Sequence, residues 1–245
     1  IMKRLEFKSL LKRFDSKPDT KELKPEIKVV NTEDELDQIK KEILSSGKMG
    51  LYVISHDNIL YGYAVATDAQ KVYVINTISG KTTDPATQMI QAIKEHGITI
   101  CVCDLKACLN DLEFVEKDSN VLDAGLAAYL LNPLENSYNF DDISREYLGI
   151  ILQSGKELIG KEELNMFTFV SDNFLDLFAY KAVVPLLAIE TLKDRLKKSG
   201  MYDLYMNVEL PTVYTLHDME KRGVRVDRTA LEEYSQKLES RIQEL

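Results

Sequence analysis

The run Ile98-Thr-Ile-Cys-Val-Cys103 is apolar at nearly every position, and it begins directly after Gly97, which stops a helical segment. A strand that alternates apolar and polar residues can leave one face in water. A strand with no polar face needs packing on both sides, which suits a central strand beside a parallel neighbour, entered by a right-handed crossover. What flanks this run then decides the fold class.

Upstream, Gly50–Ser55, Leu60–Thr67 and Lys71–Asn76 read as β-strands. Polar or small residues separate them over gaps short enough for hairpins, which predicts a three-stranded antiparallel meander. Before them, Thr32 and Glu35 match a capping box, and Leu36, Ile39, Ile43 and Leu44 fall at helical spacing ahead of Gly47, so a helix is expected over 33–46. Asp84 and Pro85 read as N-cap and first-turn proline of a helix running to Glu95. The order β-β-β-α-β-α is that of a ribonuclease-H-like α/β fold, a mixed sheet with three antiparallel strands and flanking helices. Helices are expected at Leu122–Leu131, at Asp141–Leu148 before Gly149, and from about Phe174 to Ser199, where Pro185 predicts a kink or break. An all-helical C-terminal extension follows. In it, Met219–Asp227 reads as a helix end, a glycine stop and a short extended piece, and the helix after it reads as one cut before its cap.

With 245 residues, 44% of them hydrophobic, the chain can bury one sizeable core plus an appendage. Residues 14–28 carry two prolines and many charges with few large apolar groups, and they read as a linker. The expected organisation is an upstream helix and interdomain linker over 1–28, an α/β domain over 29–205 and a helical segment over 206–245. No apolar run approaches the roughly 18 residues that span a bilayer, and the basic start lacks a signal-peptide core, so no membrane association and a cytoplasmic location are expected. A monomer is expected as well. The net charge of -9 argues against strong nonspecific affinity for nucleic acid, since phosphate binding rests on Lys and Arg displacing counterions. Three cysteines, Cys101, Cys103 and Cys108, are too few and too clustered for a disulfide framework, and they read as reduced, core-packing thiols.

The segment Asp104-Leu-Lys-Ala-Cys-Leu-Asn110, followed by Leu122-Asp-Ala-Gly-Leu-Ala-Ala-Tyr-Leu-Leu-Asn-Pro133, resembles a motif of the 3′–5′ proofreading exonuclease domain of the bacterial family A DNA polymerases. There a strand leads into Asn-Leu-Lys-Tyr-Asp, whose last residue holds a catalytic metal. Tyr147-Leu-Gly149 is similar to the loop that follows this helix, and Leu5–Arg13 to the segment that closes the region upstream. Glu209-Leu-Pro211, Met219-Glu220 and Gly223-Val-Arg-Val-Asp227 resemble the opening of the polymerase domain, leading into its thumb. The stretches occur in the family's order and together span nearly the whole chain.

Two-metal phosphodiester cleavage needs carboxylates that hold two divalent ions about 4 Å apart. The resemblance maps the family's first motif, Asp-x-Glu, onto Ser55-His-Asp57, its second-motif Asp onto Cys108, the Asn before it onto Asp104, and its third motif, Tyr-x-x-x-Asp, onto Leu177 and Lys181. These positions are therefore expected to be vestigial, with no catalytic residue, no bound metal and no cofactor in this fragment. The resemblance implies Mg²⁺ for the parent polymerase, DNA bound through that parent, the remaining polymerase domain as a partner in cis, and weak or no DNA binding by the fragment itself. Two other readings compete: an active exonuclease using Asp57, Asp104 and Asp123 as unusual ligands, and an interaction module that uses the old cleft. Whether the late helix presents Lys181, or instead Asp172 or Asp176, separates them. Asp123 is adequately explained as a helix cap. His56 reads as a surface residue, His96 and His217 show no catalytic partner, and Gly155-Lys156 with Gly160-Lys161 lack the spacing of a phosphate loop.

Overall fold

The computed structural model describes residues 23–30, 32–57, 59–77, 85–112, 115 and 120–244. The chain divides into two compact units, Ile1–Tyr214 and Thr215–Leu245. In the first, six strands form one mixed sheet: β1 (Glu26–Val30), β2 (Lys48–His56), β3 (Ile59–Ala66), β4 (Lys71–Asn76), β5 (Thr99–Val102) and β6 (Val121–Asp123), in spatial order β1-β4-β3-β2-β5-β6. β2, β3 and β4 are the antiparallel meander, while β1 pairs parallel with β4, β5 with β2, and β6 with β5. The apolar run thus lies between two parallel neighbours, and Ile100, Cys101 and Val102 are buried on both its faces. This is the ribonuclease-H-like α/β fold read from the element order.

The helices of this unit, in chain order, are α1 (Glu33–Ser46), α2 (Pro85–Glu95), α3 (Leu105–Leu109), α4 (Ala124–Leu131), α5 (Phe140–Ile143), α6 (Gly155–Ile159), α7 (Asp172–Lys198), α8 (Tyr202–Leu204) and the first turns of α9 (Leu210–Arg222). The apolar spacing of α1 buries Leu36, Ile39 and Ile43, and Gly47 closes it in the left-handed conformation at φ 70°. The Thr32 hydroxyl does not form the expected box, because it donates to the Glu35 carboxylate at 2.9 Å rather than receiving a backbone N–H. The Asp84 cap and the Leu5–Arg13 resemblance lie outside the described residues.

Several boundaries differ from expectation for physical reasons. Glu26–Lys28, read as the end of a linker, begins β1, because Ile27 and Val29 gain a parallel partner in β4 that local composition does not reveal. Leu122 belongs to β6 rather than to a helix, so α4 starts two residues later, capped by Asp123. The expected Asp141–Leu148 helix is one turn of α5 continued by a π-helical turn, Ser144–Leu148, which ends at Gly149 with φ 70°. α7 runs through Pro185 without a break. Val183, Val184, Pro185 and Leu186 are all buried, and packing on both sides of the proline holds the halves together where sequence alone predicts interruption. The division at Tyr214, later than residue 206, follows from burial of Tyr205, Leu210 and Tyr214 in the first unit's core.

α7 packs on β2, β3, β4 and β5. Its closest approach needs Gly50, since a Cβ there would meet the Ala182 carbonyl oxygen at 1.9 Å. In the second unit, α10 (Arg228–Gln243) is capped by Asp227, whose side chain accepts from the Ala230 N–H, and none of its described residues is buried. Because the Gly50 contact is with helix backbone, which cannot step aside, Gly50→Ala should lower unfolding free energy by roughly 1–3 kcal/mol or more in urea titrations. A variant as stable as the parent would show that α7 can lift off β2 freely.

Candidate functional site

The site is built where β5 and β6 end side by side. Past Val102 the chain turns through Cys103 and Asp104 into α3, and the Asp104 side chain accepts from the Ala107 N–H at 3.0 Å. β6 ends at Asp123, whose carboxylate does two jobs: Oδ1 accepts from the Leu126 N–H of α4 at 2.9 Å and Oδ2 from the Leu105 N–H of α3 at 2.8 Å. One acid thus ties together the first turns of two helices, satisfying donors that helix geometry leaves without partners. The Tyr205 hydroxyl donates to the Asp123 carbonyl at 2.9 Å and accepts from its N–H at 3.0 Å. Gly125 completes the floor, because a Cβ there would lie 2.3 Å from the Cys103 carbonyl.

Above this floor opens a cleft of about 560 Å³, walled by β2 residues Leu51, Tyr52, Val53 and Ser55, by Cys103, Asp104, Lys106, Ala107 and Cys108, by Tyr129 and Tyr138, and by Lys181 of α7. Of the positions singled out from the sequence, Ser55, Asp104, Cys108 and Lys181 meet here, with Asp123 beneath them. Asp57 does not. It sits past the end of β2 in a left-handed turn, φ 51°, with 84% of its side chain exposed, 3.7 Å from His56. Leu177 is buried one turn before Lys181 and is not part of the wall. Asp172 and Asp176 also lie outside it, so the late helix presents an amine to the cleft.

The sequence mapping missed Val53. Val53 and Ser55, two apart on β2, both line the cleft, whereas Asp57, also two from Ser55, falls past the strand's end at His56 and in a left-handed turn, where the strand's alternation no longer places it. A register shift between Ile54 and Ser55 marks a bulge at the same place, a device that re-aims side chains near a strand end.

Lys181 Nζ donates to the Tyr52 hydroxyl at 3.1 Å and stands 4.4 Å from the centroid of that ring, which holds the ammonium between α7 and β2. The Cys108 thiol donates to the Asp104 carbonyl at 3.1 Å. Burial, and then the nearby Asp123 and Asp104 carboxylates, push its pKa well above the ordinary thiol value, so it is a neutral thiol at neutral pH. Burial raises Cys103 in the same direction and Cys101 to about 12. Among the described residues no group of three or more His, Cys, Asp or Glu side chains could hold a metal ion. Burial pushes the Asp123 carboxyl up to about 7, against the opposing pull of the Leu105 and Leu126 N–H groups.

Strand order, with β6 parallel to β5 and β5 parallel to β2 beside the antiparallel meander, defines a ribonuclease-H-like α/β fold with a cleft at the ends of β5 and β6. No family model matches the sequence. Curated relatives are DNA polymerase I of Caldicellulosiruptor bescii, 24% identical over 163 residues, 64% of this chain and 17% of that protein, and DNA polymerase I of Synechocystis, 30% identical over 128 residues, 51% and 13%. DNA polymerase I of Rhizobium leguminosarum is 31% identical over 118 residues, 47% and 12%. Among solved structures, the POL domain of Pol1 from M. smegmatis, in complex with DNA primer-template and dNTP, superposes with a TM-score of 0.69 at 20% identity over 89% of this chain and 36% of that one. Brucella melitensis NrnC bound to pGG gives 0.62 at 14% identity over 83% and 98%, and Escherichia coli RNase D gives 0.59 at 16% over 82% and 52%. The resemblance to DNA polymerase I carried by the sequence motifs is shown by these relatives, of whose length the chain spans 12–17%.

Because the folded-state pKa of Asp123 lies above its ordinary 3.8, the fold favours the protonated acid, and this contribution is complete below the ordinary value and fades as pH rises through about 7. Relative to Asp123→Asn, which cannot titrate, the parent should gain roughly 2–3 kcal/mol of stability between pH 8 and pH 5 in denaturant titrations. An unchanged difference across that range would contradict the assignment.

Proposed function

We propose that this chain is part of a bacterial family A DNA polymerase, and that its exonuclease-like domain has lost metal-dependent cleavage and serves to support and space the polymerase domain. The observation that carries the reading is Lys181, a cation held in the cleft where the family's third motif supplies an anionic ligand. Around it stand Val53, Ser55 and the neutral Cys108 thiol, none of which offers Mg²⁺ or Mn²⁺ the hard, charged oxygens they bind. The two acids that remain are committed elsewhere: Asp104 caps α3, and Asp123 spends both oxygens on backbone N–H groups. Asp57, which the active-enzyme reading needs, is exposed and is not part of the cleft lining.

The parent protein, in this reading, extends a primer on a DNA template with Mg²⁺ and deoxynucleotides during replication and repair in the cytoplasm. It works as a monomer, with the rest of the polymerase domain in cis as the main partner of this domain. DNA binding then belongs to the parent, and the net charge of -9 supports weak or no binding by this segment.

The test is a 3′-end degradation assay. Incubation with 5′-labelled single-stranded DNA and either Mg²⁺ or Mn²⁺ should leave the strand at full length, and crystals soaked in Mn²⁺ should show no ion pair beside Ser55, Asp104 and Cys108. Stepwise shortening that scales with protein concentration and survives repurification would sink the proposal.

A further inference from the structure

The connection between α6 and α7 carries a short turn that shows large apolar side chains to water. Phe167 is 91% exposed, Met166 63% and Val170 54%. Apolar residues scattered singly over a surface are ordinary, but three within five positions make a patch. None of the three lines the cleft, so the patch is separate from that site and from its chemistry. We infer that Met166, Phe167 and Val170 form a preformed docking knob, whose occupant is a separate protein presenting an apolar pocket with Lys or Arg on its rim.

The knob is held from within. Asn165 Oδ1 accepts from the Phe167 N–H at 2.8 Å and from the Thr168 N–H at 3.1 Å. The Thr168 hydroxyl accepts from the Asn165 N–H at 2.9 Å and donates to the Glu163 carbonyl at 2.8 Å. The Phe169 N–H closes the turn on the Asn165 carbonyl at 2.9 Å. Phe169 itself is buried, with its ring 5.6 Å from that of Phe178 and 6.4 Å from that of Tyr61. The turn is thus rooted in the core through Phe169 while Phe167 and Val170 face water. Order set in advance removes a cost that binding would otherwise meet, and an aromatic anchor entering a pocket is the kind of contact that dominates small interfaces.

Size and charge select the occupant. Surfaces that stay covered, within one chain or between copies, are broad and mostly apolar. Here three apolar residues are bordered by the exposed acids Glu162, Glu163 and Asp172, and from Glu162 to Asp176 the sequence has four acids and no Lys or Arg. An apolar centre inside a charged rim is the pattern of a separable interface, and a negative rim is matched by a positive one. A second copy of this chain, at net charge -9, brings the wrong sign.

The experiment places 4-benzoylphenylalanine at position 167 of the full chain and, in a second version, at position 134, where Leu134 is 90% exposed outside the knob. Each is irradiated in a lysate of the source cells, and the joined proteins are identified by mass spectrometry. The protein captured at 167 is then purified and titrated against the chain by fluorescence anisotropy. Capture at 167 but not at 134 is expected, with saturable binding that weakens as salt rises. Phe167→Ser, which alters no core contact, should weaken that binding about tenfold or more. Asn165→Ala keeps every apolar side chain but unlocks the turn, and should weaken it about threefold or more, with circular dichroism confirming the fold. Glu162→Lys combined with Glu163→Lys should weaken it and flatten the salt dependence. The same proteins at both positions, products that join only two copies of the chain, no product at 167, or equal affinity for Phe167→Ser would overturn the inference. Equal affinity for a folded Asn165→Ala would overturn the preformed turn, and binding indifferent to salt and to the two lysines would overturn the basic rim.

Discussion

The Asp123 carboxylate is the interaction on which the site depends. It stands at the end of β6, and its two oxygens accept from Leu105 at the start of α3 and from Leu126 in α4. Without it, two helix starts would leave backbone donors unsatisfied in a buried place, each at a cost of about 1–3 kcal/mol. The Tyr205 hydroxyl holds the backbone of the same residue, so a segment more than eighty residues later in the chain fixes the sheet edge from the other side. The position of Cys108 on α3 and of Tyr129 on α4 both follow from this clamp.

Fold and chemistry separate cleanly in the cleft because they rely on different atoms. The frame is held by backbone hydrogen bonds, by close approaches that only Gly50 and Gly125 permit, and by α7 packed along the sheet. The wall side chains contribute little to that frame, so Val, Ser, Cys and Lys can occupy it while strand order and helix placement persist. Metal binding has no such tolerance, since it needs several anionic oxygens at once. The Lys181 ammonium, held against Tyr52, puts a positive charge in the cleft.

Much of the fold was legible in the sequence. The meander, the doubly buried β5 and the boundaries of α1 followed from periodicity, an unbroken apolar run and stop signals, all of which are local features of the chain. β1 was hidden because it lies in a charged stretch that also holds a proline and becomes a strand only beside β4, and at Pro185 the helix continues rather than breaks, with its neighbours Val183, Val184 and Leu186 buried. Within the site, Cys108, Asp104 and Lys181 meet in the cleft, but Asp57 does not: β2 ends at His56 and the chain turns at Asp57, an end that residue spacing alone does not reveal.

Residue type and spacing in the sequence were enough for the class of fold and for the neutral or basic character of Ser55, Cys108 and Lys181. What only the tertiary structure decided was which of those residues face one another. Ser55, Cys108, Asp123 and Lys181 come from four separate elements, and their convergence depends on sheet order, on the bulge in β2 and on the rotation of α7. Those are long-range packing outcomes, and no local pattern encodes them.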